Sequence, residues 1–177
     1  MTGLKSKKFK AISASLGSLM LTVGCSTMKS DASGLKHEPE KRDSEKVVHE
    51  VGTLSSRVLE MLNIKGKSTE PGPTATPCDV PHGTSRTYQR VRHPWSFYGV
   101  GNDALEKGMA NLHRALPEEG WKVVKYGKDS SRSQNLEMMA VHLKTHTQLE
   151  VTWLKGLDSH TPLLDITLYS RCFAEKP

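Results

Sequence analysis

No apolar run in the chain is long enough to cross a bilayer. The longest, Ala11 to Gly24, covers 14 residues and is interrupted by Ser13, Ser15 and Ser18, whereas a spanning helix needs about 20 mostly apolar residues. Behind Lys5, Lys7, Lys8 and Lys10 it reads as the apolar part of a cleavable export signal with its positive start. An excess of one charge is missing too, once that segment is set aside. The 25 Lys plus Arg and 19 Asp plus Glu become 21 against 19 without the four signal lysines. The remaining balance, near +2, gives no reason to expect nucleic acid as a partner.

Cysteine is scarce, with only Cys25, Cys78 and Cys172 present. The stretch Leu21-Thr22-Val23-Gly24-Cys25 resembles the lipobox of bacterial lipoproteins, with Thr22 where leucine is usual and Leu21 one place earlier. The resemblance implies that residues 1–24 are a signal peptide. It also implies that the Cys25 thiol carries a diacylglycerol and becomes the first residue of the mature protein, at the outer face of the cell membrane. Cys78 and Cys172 then remain as a pair in a compartment that favours disulfides, and no thiol is left over.

Signatures of catalysis are also missing. There is no G-x-S-x-G elbow to present a nucleophile. Gly66-Lys67-Ser68-Thr69 imitates the end of a phosphate-binding loop, but the earlier glycine that loop requires is replaced by Met61, and the segment follows a helix instead of opening one. Of eight histidines only His142 and His146 are close, spaced i, i+4 across a strand and a turn, and no Cys, Asp or Glu cluster completes a metal site. Glu118 and Glu119 adjoin Pro117 at a helix end as solvated charges. No cofactor or metal is expected. A binding or assembly role without catalysis is the first reading. The alternatives are an envelope hydrolase or metal-dependent enzyme using the histidines, and a ligand-delivery module with an apolar cavity.

What the chain does contain falls into two parts. Residues 25–43 are polar and mixed in charge, too poor in apolar surface to hold a fold. They read as the lipidated cysteine and a tether, whose 18 residues after Cys25 would reach roughly 25 Å as a flexible coil. Residues 44–177 read as one domain. Val47, Val51, Leu54, Val58 and Met61 or Leu62 recur at helical spacing, with Ser44 as the expected cap. Pro71, Pro73, Pro77 and Pro81 around Cys78 mark irregular loop. A strand from Arg86 to Val91, ended by Pro94, leads through Gly99 and Gly101 into a second helix. Asp103 and Glu106 offer that helix a capping box, Leu105, Met109, Leu112 and Leu116 form its stripe, and Pro117 and Gly120 stop it.

Four strands follow: Trp121 to Tyr126, Leu136 to Leu143, one through Leu149, Val151 and Trp153, and one through Leu164, Ile166 and Leu168. Continuing the last alternation puts Cys172 on the inward side. The order predicts an α+β fold: an antiparallel sheet of about five strands, two helices on one face and one disulfide.

The lipobox, polar tether, amphipathic helix, Pro-rich loop with its cysteine, the helix end Leu116-Pro-Glu-Glu-Gly-Trp121 and the terminal Tyr169-Ser-Arg-Cys172 together resemble small secreted lipoproteins of actinomycetes such as streptomycetes. The resemblance implies a fold and a location and carries over no functional residue. One segment has surface character of its own. In an extended strand Arg86, Tyr88, Arg90 and Arg92 share a face, which would suit an anionic envelope polymer or lipid headgroups. Alternatively this is a charged edge strand that discourages aggregation, with Trp95 and Phe97 filling the core.

Overall fold

The structure is a computed structural model and describes residues 39–69, 71–78, 88–156 and 160–176. The residues read as an export signal, Cys25 and Arg86 lie outside them. Strand β1, Lys41–Arg42, comes first, so residues read as the end of the tether are engaged with the domain. Helix α1 is Ser44–Leu62, and its cap is Asp43, one residue before the expected Ser44. The Asp43 carboxylate accepts from the backbone N–H groups of Glu45 and Lys46, which would otherwise lack partners at a helix start. Val47, Val51, Ser55, Val58 and Leu62 form its buried stripe. Asn63 ends the helix in the left-handed region, at φ 46°, which asparagine tolerates.

Short strands β2 (Lys67–Ser68) and β3 (Thr74–Pro77) lead to the long β4, Gln89–Tyr98. Helix α2 (Asn102–Ala115) crosses to β5 (Trp121–Lys128), and β6 (Leu136–His142), β7 (Gln148–Leu154) and β8 (Leu163–Tyr169) return as a meander. Strand β9, Ala174–Glu175, pairs in parallel with β1. The main sheet is antiparallel with the order β2-β4-β8-β7-β6-β5, and β3 also pairs with β4. Its five long strands and two helices are the α+β fold read from the sequence.

Register explains the core. Phe97, Leu164 and Trp153 lie in one row across the sheet, and Trp95, Ile166, Val151 and Met138 in the next. Both rows face the helices and are buried with Leu105, Met109 and Leu112 of α2 and the stripe of α1. Gly108 lies under Ile64, close enough that a Cβ there would collide with its Cδ1.

Two local expectations are corrected at β4 and α2. The strand does not stop before Pro94 but runs through it, with Pro94 opposite Thr167 of β8. Odd-numbered residues turn their backbone groups to the β8 side, as Val91 O does in accepting from Ser170 N. Even-numbered ones face β2 and β3, as Ser96 O does in accepting from Thr69 N. Pairing with β3 ends at Arg92 and pairing with β2 begins at Phe97, so the missing N–H of Pro94 falls in the gap and no ladder bond is lost. The cap of α2 is Gly101 and makes no side-chain bond, so the capping box is not formed. Asn102 instead ties the helix to β7. Its Oδ1 accepts from Trp153 Nε1 at 3.1 Å and its Nδ2 donates to Lys155 O at 3.2 Å.

Cys78 and Cys172 form the expected disulfide, with Cα atoms 6.1 Å apart and a sequence separation of 94. The inward alternation of β8 stops at Ser170, however. Beyond it Phe173 is the fully buried residue and Cys172 is half-buried, because Phe173 exchanges backbone bonds with Gln89 and turns the chain.

Candidate functional site

The gap beside β4 opens into a cleft of about 280 Å³. Its described walls are Ser55, Ser56 and Leu59 of α1, Ser68 of β2, Thr69 and Gly72 between β2 and β3, and His93 and Trp95 of β4. Each wall follows from local rules. His93 and Trp95 share the inward parity of Val91 and Phe97, so they point under α1. Ser55 is the one hydroxyl in the α1 stripe and is 3% exposed. Gly72 turns the β2–β3 connection at φ 71°, a conformation that favours glycine. Thr69 pins that connection to β4 twice, donating from its N–H to Ser96 O at 3.0 Å and accepting at its hydroxyl from Ser96 N at 2.9 Å.

The polar groups at the cleft floor are unusual. Trp95 is 5% exposed, and neither its Nε1 nor the His93 Nδ1 has a hydrogen-bond partner. Both atoms are shut off from solvent, although other parts of the two residues line the cleft. Burial lowers the His93 pKa below the usual histidine value, which keeps its ring neutral at neutral pH. No lining residue among those described carries a fixed charge.

A second cleft, of about 470 Å³, lies beside the disulfide and is lined by Glu40, Arg42, Glu50, Lys144, His146 and Arg171 among others. One pair of its charges is joined, Arg42 donating to Glu50 Oε2 at 3.0 Å. His142 and His146 share one tight turn nearby, where His146 N donates to His142 O at 2.8 Å. His142 Nδ1 is already engaged with the Thr145 hydroxyl at 2.9 Å. Among the described residues no group of three His, Cys, Asp or Glu side chains could hold a metal ion.

The basic face read from the sequence is largely dispersed. Tyr88 is 5% exposed and belongs to the core, a correction to its surface assignment. It precedes β4, and the Cys78 N–H donates to its carbonyl at 2.9 Å. Strand β4 is also not an edge strand, since β8 flanks it on one side and β2 and β3 on the other. Arg92 is exposed and Arg90 half-buried, and both act on Tyr169. Burial and then the Glu150 carboxylate, as acceptor and as charge, push the Tyr169 hydroxyl far above its usual value, while Arg92 and Arg90 pull it down. The arginines therefore sit in a mixed cluster on the open face of the sheet.

The cleft at His93 and Trp95 was missed in the sequence. Its one visible signal was Ser55, standing between Val51 and Val58 in a helical stripe where an apolar residue is the rule. No protein-family model, no curated protein and no solved structure matches the chain.

Proposed function

We propose that the chain is a lipoprotein of the bacterial envelope, held at the outer face of the membrane by a diacylglycerol on Cys25, and that its domain binds or assembles without catalysis. The observation that carries this reading is the lysine-led run of 14 residues closing on Gly24-Cys25. The Cys78–Cys172 disulfide supports it, because such bonds persist in oxidising, exported compartments. No helix among the described residues is long and apolar enough to cross a membrane, so attachment in this reading comes from the lipid. Two acyl chains, at about 0.8 kcal/mol per buried methylene, anchor firmly where one is marginal.

The binding role is supported by the cleft at β4. The Ser56 and Thr69 hydroxyls that line it can position a ligand's donors and acceptors; they do not by themselves break its bonds. The test of the anchor is direct. The full chain, expressed in a bacterial host with a fatty-acid analogue, is expected to carry thioether-linked lipid that Cys25→Ser abolishes. Wild-type protein without that lipid would refute the anchor.

A further inference from the structure

We infer that the free edge of β5 binds an extended acidic segment of a protein partner, which adds to the sheet as a further strand. The inference deepens the reading of the domain as a binding module and does not depend on lipid at Cys25.

The two ends of the sheet differ. Beyond β4 lie only the short β2 and β3, whereas β5, eight residues long, has β6 as its one neighbour among the described residues. An edge strand of that kind leaves alternate backbone groups without ladder partners, and a strand added from outside can supply them. The register shows which groups these are. Asp129 N donates to Asn135 O at 2.8 Å, and Gly127 and Lys125 follow at the two-residue interval of the ladder, so the backbone groups of Tyr126 and Lys128 point away from β6. The register shifts between Val123 and Lys125, which limits the regular edge to Lys125 and the residues after it. Val124, 55% exposed, and Tyr126, 40% exposed, are uncovered here. Tyr126 stands opposite Met138 on the helix side, where its ring stacks on His113 with centroids 4.2 Å apart. The edge is therefore ordered before a partner arrives, which lowers the cost of binding.

Charge selects the occupant. Lys122, Lys125 and Lys128 are the only charged residues of β5. Lys125 is paired with Glu137, but Lys128 donates to the neutral Gln134 at 3.1 Å. Neither Lys122 nor Lys128 has a carboxylate partner among the described residues. The adjacent Asp129 is engaged by Ser131 and Asn135, and Glu106 of α2 acts on Tyr126. Opposite charges stabilise a strand pair and like charges oppose it, so an acidic strand is favoured over a second copy of this chain, which would bring three more lysines to the edge. A lipid surface offers no row of donors and acceptors to match Tyr126 and Lys128.

The test follows hydrogen exchange at single amides by NMR, on the isotope-labelled full chain in zwitterionic micelles. In the free chain the Tyr126 and Lys128 amides should exchange at least about tenfold faster than those of Gly127 and Asp129. A blocked octapeptide alternating threonine and glutamate should bind with a dissociation constant on the order of 0.1 mM and, at saturation, slow the Tyr126 and Lys128 amides about tenfold or more. The same peptide with lysine for glutamate should bind at least about tenfold more weakly, and the fully N-methylated acidic peptide should not bind. Lys128→Gln removes charge alone and should weaken binding about threefold. Lys128→Pro also removes an N–H that faces away from β6, which an edge strand tolerates, and should abolish protection at Tyr126. The Trp153 indole signal, held by Asn102, reports the native fold throughout.

No protection from the acidic peptide, in a chain whose Trp153 signal is native, would overturn the inference and leave the lysines and the register shift as a guard against aggregation. Equal binding of the lysine or the N-methylated peptide would do the same, as would equal losses in Lys128→Gln and Lys128→Pro. Protection that grows with protein concentration alone would assign the edge to a second copy. Protection brought by doping the micelles with phosphatidylglycerol would assign it to a lipid surface, and either assignment ends the inference. Lipid on Cys25 is measured separately, so the anchor and the edge fail independently.

Discussion

Asn102 Oδ1 accepts the indole N–H of Trp153 at 3.1 Å, so the first residue of α2 is fastened to the middle of the sheet. The same side chain donates to Lys155 O at 3.2 Å. Trp153 is 5% exposed, and its N–H loses its partner if the amide is removed. Asn102→Ala should therefore destabilise the domain by about 1–3 kcal/mol, the cost of an unsatisfied buried donor. Asn102→Asp keeps the acceptor and adds favourable charge at a helix start, so its loss should be smaller. Urea unfolding followed by tryptophan fluorescence ranks the two, and equal losses would deny the indole bond its role.

Tyr88 and Arg92, grouped on one surface by the sequence pattern, should behave in opposite ways. Tyr88→Ala empties a core position and is expected to cost about 3–5 kcal/mol, as for other buried aromatics. Arg92→Ala, at an exposed position, should stay within about 0.5 kcal/mol. A tolerated Tyr88→Ala, measured by denaturant midpoint, would return Tyr88 to the surface.

The disulfide joins the end of β3 to the segment between β8 and β9. A closed loop of this size can contribute up to about 4.7 kcal/mol in the chain-entropy model, with strain and residual unfolded structure reducing it. The double variant Cys78→Ser, Cys172→Ser should lose about 2–5 kcal/mol, and reductant should lower the thermal midpoint of the wild type alone. Mass spectrometry that finds both thiols free in the unreduced chain contradicts the pairing.

Acid should weaken the fold through two histidines. Burial lowers the His93 pKa. Burial also lowers that of His142, with Glu50 opposing it and Lys144 and His146 adding to it. In both cases the unfolded chain binds the proton more readily than the folded one. The stabilisation is fully present above the usual histidine value of about 6.5 and is lost as pH falls through the depressed folded values. The thermal midpoint should drop between pH 7.5 and pH 5, and His93→Gln with His142→Gln should flatten that drop. An equally steep drop in the double variant would assign it to other groups.

Much of the fold was legible because the relevant patterns are local. Val47, Val51 and Val58 on α1, and Leu105, Met109 and Leu112 on α2, repeat at the spacing that any helix places on one side. Leu149, Val151 and Trp153, and Leu164, Ile166 and Leu168, alternate as half-buried strands must. The candidate site was not legible, because His93 and Trp95 look like ordinary inward residues of a strand. What sets them apart is the cleft they share with Ser55, Thr69 and Gly72, which come from two other segments.

The sequence by itself determined the helices, the four-strand meander, the α+β class and the pairing of Cys78 with Cys172. Each follows from a periodicity within one segment, or, for the cysteines, from the count that remains once Cys25 is assigned to lipid. Only the tertiary structure decided that β4 continues through Pro94, that Asn102 is tied to Trp153, and that Phe173 instead of Cys172 fills the core. Each of these turns on which backbone or side-chain group arrives from a distant segment: the gap between β2 and β3 spares the proline, an indole takes the amide, and Gln89 turns the last residues inward. Local preferences are worth about 1 kcal/mol or less per residue, so a single buried contact of similar size overrides them.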